Sequence, residues 1–191
     1  MAFDHIVPGQ PLLFMKVGVH AREPLDQIIV RKHQEFVESG AIFWGYGGNT
    51  CHPLTMVQPF AKQQLVLGRE VVLVMEEIKS NHFAEPKEAE EYSDDGVTWK
   101  RVPSGIHVLG SRYALVLEDL QIEGFDLNLR QARVSVGPTR GRGAHDYIKG
   151  RVDKGCLEVD PTQMNGAPQA SDIHRISLLA KLQPPFAVFL R

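Results

Sequence analysis

Cysteine is scarce in this chain. Two residues, Cys51 and Cys156, are too few for a disulfide scaffold. No C-x-x-C and no close-spaced histidine pair marks a metal site, although there are eight histidines. No run reaches the roughly 18 apolar residues of a membrane helix, and no basic stretch precedes the first apolar segment, so no secretory leader is expected. Neither sign of charge dominates. There are 21 basic and 23 acidic residues, with a net charge of -2. That excludes a uniformly basic nucleic-acid coat but leaves room for a local basic patch. The phosphate-binding fingerprints G-x-x-x-x-G-K-[ST] and G-x-G-x-x-G are also missing. The expectation is a cytoplasmic protein with no membrane contact, no metal and no cofactor.

What is present is an ordinary globular composition over 191 residues, with 43% apolar and 23% charged residues. This length buries enough surface to fold without a staple. The reading is a single domain, 1–191, in which 160–191 is a C-terminal extension packing back on the sheet.

Residues 11–19, PLLFMKVGV, read as a buried opening strand. A helix follows. Glu23 and Pro24 open it, and Gly40 closes it. Leu25, Ile28, Ile29, His33, Phe36 and Val37 recur at helical spacing, which assigns Asp26, Arg31, Lys32, Glu35 and Glu38 mostly to the wet side. AIFWGY is a short strand and 54–65 a second, shorter helix with a kink or early turn at Pro59. REVVLVMEEI is a central strand. The segment 82–95 holds six carboxylates against Lys87 alone and reads as a solvated loop or an exposed helical turn. VTWKRVP, RYALVLED and CLEV are further strands. Residues 125–136 are a strand pair or one bent strand, or else a helical turn at 127–133. After a turn-rich linker at 160–170, with Pro161 and Pro168, IHRISLLAKL reads as an amphipathic piece and PPFAVFLR as an edge strand. The fold class expected is α+β: a curved or barrel-like mixed β-sheet with one long N-terminal helix and one or two short helices.

Two glycine-rich segments carry the candidate chemistry. In AIFWGYGGNTCHP, Trp44 and Tyr46 share one face of a strand, and Gly47 and Asn49 continue into a loop whose backbone can approach a flat ligand. A core tryptophan beside a hairpin turn is the plainer alternative. Cys51 and His52 follow, but adjacent residues make an awkward nucleophile and base; His82, His107 or His145 would have to supply the imidazole. In GPTRGRGAHDYIKGRVDK, Arg140, Arg142, Lys149, Arg151 and Lys154 face only Asp146 and Asp153. A basic loop opening a helical turn at Ala144 suits phosphate, and a solvated loop paired with the 82–95 segment is the alternative. Trp99 lies at the end of the acidic segment, beside Arg101.

The order of these elements, with Gly40 to Trp44, VVLVMEEI, an acidic insertion carrying Trp99, and RYALVLEDL, resembles the PUA-like superfamily over about residues 11–136, especially its EVE and YTH branches. That resemblance implies a curved-sheet module that binds nucleic acid and holds a modified base in an aromatic cage, with Trp44 and Trp99 at the cage positions. The basic 138–154 stretch would then contact phosphate. Three functions follow from these features. The first is a non-enzymatic binding module for nucleic acid or a nucleotide, using Trp44, Tyr46, Gly47, Asn49, Trp99, Arg140, Arg142 and Lys149. The second is a small nucleotide-directed enzyme using Cys51 and His52. The third is a sequestering or inhibitory protein for a nucleotide signal or a partner protein.

Overall fold

The computed structural model describes residues 6–160, 162 and 167–191; Pro161 of the expected linker lies outside them. The framework starts from β1 (Pro11–His20) and β3 (Val72–His82), which pair in parallel with Leu12 opposite Val72 and Met15 opposite Met75. Both are near-continuous apolar runs because both faces are buried. Leu13, Met15, Leu73 and Met75 enter the larger core, while Leu12, Phe14, Val72 and Val74 enter a second core across the sheet.

Three elements connect these strands. They are α1 (Leu25–Ser39), β2 (Ile42–Tyr46) and α2 (Gln58–Val66), the last preceded by a π-helical turn at Pro53–Val57. Pro24 sits just before α1 in extended conformation, and Gly40 ends the helix at φ 70°, its N–H bonded to Phe36 O. Pro59 falls within the first two positions of α2, where the π-helical turn passes into the α-helix.

Beyond β3 come β4 (Glu91–Ser93), β5 (Lys100–Arg101), β6 (Tyr113–Leu117), β7 (Gln121–Asn128), β8 (Ala132–Val134), α3 (Ala144–Tyr147), β9 (Lys154–Val159) and β10 (Ile173–Leu190). A 3-10 turn at Leu129–Gln131 separates β7 from β8. The two strands then diverge, β7 pairing with β10 and β8 with β9. The strand order is β2-β6-β10-β3-β1-β9-β8.

The expected architecture is corrected by this arrangement. The molecule is mainly mixed sheet, 41% strand and 22% helix, and the sheet is not a closed barrel. Among the described residues no long N-terminal helix exists: the chain opens on β1, and α1 has 15 residues. Two features limit the helical content. Gly40 stops α1, and the apolar positions of that helix do not form one continuous buried face (see below).

The C-terminal strand is a second correction. IHRISLLAKL, read as an amphipathic piece, is strand, and PPFAVFLR is not an edge. Together they make β10, 18 residues long and interior. Its first half pairs with β3 and β7, and its last residues pair with β6 and β4. Pro184 and Pro185 fall in the register gap between Leu182 and Ala187, where a residue with no N–H breaks no ladder bond. Pairing on both edges is what makes the strand interior.

Candidate ligand-binding cavity

The wall of the site begins with α1, where an expectation from spacing fails. Leu25, Ile28, Lys32 and Glu35 are the buried stripe, while Val37 is 83% exposed. Lys32 and Glu35, expected on the wet side, are thus inside. The cause is a closed set of hydrogen bonds. Lys32 Nζ donates to Glu35 Oε1 at 2.7 Å, to Phe43 O at 2.6 Å and to His107 O at 2.7 Å. Glu35 Oε1 in turn accepts from His107 N–H at 2.9 Å, and Arg31 bridges Glu23, Glu35 and His107 O. A buried ammonium with all three protons placed is tolerated where an unpaired one would not be. Burial still lowers the Lys32 pKa, to about 8.

This network fixes α1 against β2 and the 106–109 segment. Between them, the outer end of β1 and the loop after β2 lies a cavity of about 770 Å³. Its floor is aromatic. Trp44 and Tyr46 line it, but both are 4% exposed or less and pack into the larger core. Gly45 brings the backbone close: a Cβ there would stand 2.5 Å from Ser111 Oγ. Tyr113, opposite Tyr46 in the β2–β6 ladder, adds a third ring.

Cations dominate the walls. Lys16, Arg31, Lys32, Arg112, Arg151 and Lys154 line the cavity, with Asp153 as the one carboxylate among the lining residues. Three of the six are already engaged: Arg31 and Lys32 with Glu35, and Lys154 with Asp153 at 2.8 Å. Lys16, Arg112 and Arg151 have no acidic partner among the described residues. A concave surface of one sign with low-dielectric walls concentrates counter-ions.

The loop after Tyr46 is tightly held. Tyr46 donates its hydroxyl to Cys51 O at 2.9 Å, and burial pushes the phenol pKa well up. Cys51 adopts φ 53°, a left-handed conformation that costs on the order of 1 kcal/mol for a residue with a Cβ. Thr50 Oγ1 donates to Asp153 Oδ1 at 3.0 Å, and Cys51 Sγ lies 3.1 Å from Cys156 Sγ on β9. That thiol contact lowers the Cys51 pKa and, with burial, raises that of Cys156. His52 is an end cap: its Nδ1 accepts from the N–H groups of Leu54 and Thr55, and Nε2 lies 3.1 Å from Tyr113 Oη. Both ring nitrogens are therefore occupied, and neither His107 nor His145 is paired with Cys51. The His82 side chain lies outside the described residues.

The site residues named from sequence divide in two. Trp44, Tyr46, Gly47 and Asn49 come together at the cavity. Trp99, Arg140, Arg142 and Lys149 do not line it. Trp99 is stacked under the Arg191 guanidinium at 4.0 Å, and Lys149 pairs with Asp146 at 3.0 Å. Several amides of the 137–148 segment are bonded within it or to β8. Arg140 N–H bonds to Gly137 O, Gly141 N–H to Val134 O, Arg142 N–H to Thr139 O and Ile148 N–H to Ala144 O. Those amides are not offered to an anion.

Reading the sequence missed Lys16, Arg112 and Tyr113. Lys16 had a visible signal, a lone cation inside an apolar strand. Arg112 and Tyr113 had none, because only the β2–β6 pairing brings them to Tyr46. No family model, curated protein or solved structure matches this chain. Among the described residues no helix is long and apolar enough to cross a membrane.

Proposed function

We propose that the chain is a binding module for a nucleotide, a planar base bearing one or more phosphates, seated in the cavity between α1 and the loop after β2. The observation that carries this reading is the cavity itself: six cationic side chains and one carboxylate over a floor of three aromatic rings. Its volume falls within the roughly 300–1,000 Å³ of small-molecule sites. Lys16, Arg112 and Arg151 supply charge for phosphate, and Arg151 and Arg112 offer the fork that grips two phosphate oxygens at once. Gly47 and Gly48 let the ligand approach the backbone. Trp44 and Tyr46, both nearly fully buried, act as a floor under the ligand.

Binding is placed ahead of catalysis because the groups an enzyme would use are already engaged. The Cys51 thiol is turned to Cys156, and His52 caps a helical turn. The PUA-like resemblance points toward the same ligand class, though of its two tryptophans Trp44 alone lines the cavity. The reading includes a cytoplasmic setting, where free thiols stay reduced.

Calorimetric titration with nucleoside mono-, di- and triphosphates, the free nucleosides and a short single-stranded oligonucleotide tests it. Nucleotides should bind with no turnover, more tightly as phosphates are added, and the nucleosides should bind far more weakly. Arg112→Ala and Arg151→Ala should each weaken binding by about tenfold, the worth of one charge-assisted hydrogen bond. Binding of the oligonucleotide alone would assign the cavity to a strand of nucleic acid instead. Failure of every nucleotide, or indifference to the double Arg112→Ala, Arg151→Ala variant, would remove the proposal.

A further inference from the structure

Cys51 and Cys156 stand 105 residues apart in sequence, yet their sulfurs lie 3.1 Å apart, both thiols free and both side chains buried. The contact joins two neighbouring segments of the cavity wall. Thr50 and His52 line the cavity from one segment, and Asp153 and Lys154 from the other. The Thr50–Asp153 hydrogen bond already holds these segments in register, and the Tyr46 hydroxyl clamps the Cys51 carbonyl. The sulfurs need approach by only about 1 Å to reach bonding distance.

We propose that Cys51 and Cys156 are a redox-sensitive pair, closing to an intramolecular disulfide on exposure to a hydroperoxide and so locking the loop after β2 to β9. Cys51 is the attacking sulfur. It is the member of the pair whose chain neighbours, Thr50 and His52, line the cavity, and the Cys156 contact holds its thiol below the ordinary range. Its sulfur takes the distal oxygen of the hydroperoxide, the O–O bond breaks, and the alcohol or water leaves with a proton. The Cys156 sulfur then attacks the Cys51 sulfenic acid and expels water. Two thiols lose two electrons and two protons, and the hydroperoxide is reduced by two electrons. This inference does not depend on the identity of the ligand.

The test uses the full reduced chain and hydrogen peroxide, followed by denaturing alkylation with iodoacetamide and non-reducing peptide mapping. Both thiols should be lost together, with a mass lower by two hydrogens, one Cys51–Cys156 cross-linked peptide, and full reversal by dithiothreitol. A link closing so long a loop should raise the Tm by roughly 5–15 °C. Cys156→Ser should instead leave a Cys51 sulfenic acid trapped by dimedone, with no gain in Tm. If the variant fails to fold, the mass and Tm shifts of the unaltered protein decide the question. Thiols that stay alkylatable, oxidation to sulfinic or sulfonic acid, or cross-links between molecules would each overturn the inference.

Discussion

The cavity wall and the 137–150 loop use the same ingredients, cations beside glycines, to opposite effect. In the loop Arg140 and Arg142 are exposed, Lys149 is paired with Asp146 in the open, and the backbone amides are bonded to their own turn. In the cavity the cations sit on separate elements, β1, α1, the segment before β6 and the approach to β9, and face one enclosed space. Charge counted along a sequence measures how much is present. Its effect on a ligand depends on whether several charges share a volume from which water is partly excluded.

That contrast breaks most sharply at the tryptophans. Trp44→Ala should cost about 3–5 kcal/mol of stability, the usual loss for a buried aromatic, whereas Trp99→Ala on the Arg191 stack should cost below about 1 kcal/mol. Denaturant unfolding of the two variants checks this. Equal losses would mean Trp44 is not part of the core.

Next in size is the pH dependence set by Lys32. Burial lowers its folded pKa to about 8, below the ordinary lysine value of 10.5. Between these values the unfolded chain holds the proton that the folded chain has released, so the Lys32 contribution to stability rises with pH from about 8 to 10.5 and is lost as pH falls through 8. Over that window it amounts to about 2–3 kcal/mol. Titrating thiols and Tyr46 overlay it, so the measurement is the difference in unfolding free energy between the protein and Lys32→Met across pH 7–10.5. A flat difference would deny the burial of that charge.

The ligand sharpens the comparison further. Arg151→Ala should weaken nucleotide binding about tenfold, and the double Arg140→Ala, Arg142→Ala variant should change it by less than about twofold. The reverse ranking would move the site to the loop.

The smallest contrast is between glycines. Gly45→Ala drives a Cβ against Ser111 and should cost about 1–3 kcal/mol. Gly141→Ala meets nothing within 4 Å and should cost no more than about 1 kcal/mol, through its φ of 87° alone. Thermal melts of both variants resolve the order.

How much of this was legible depends on how far each signal reaches along the chain. The opening strand, the β3 run and the start and stop of α1 were readable because Pro24, Gly40 and apolar continuity act locally. The inner face of α1 was not. Val37 and Phe36 look like core residues by spacing, and Lys32 and Glu35 do not; only the carbonyls of Phe43 and His107 make burial of that pair possible. Half of the candidate site, Trp44 to Asn49, was likewise visible as aromatics beside glycines.

By itself, the sequence determined the two strand cores, the caps of the first helix and the absence of any bulk charge, since each depends on residues within a few positions of one another. The tertiary structure alone decided that β10 is interior, that Lys16, Arg112 and Arg151 surround one space, and that two thiols 105 residues apart touch. Those outcomes depend on which strands pair, and pairing is set by the sum of burial over the whole sheet rather than by any local preference.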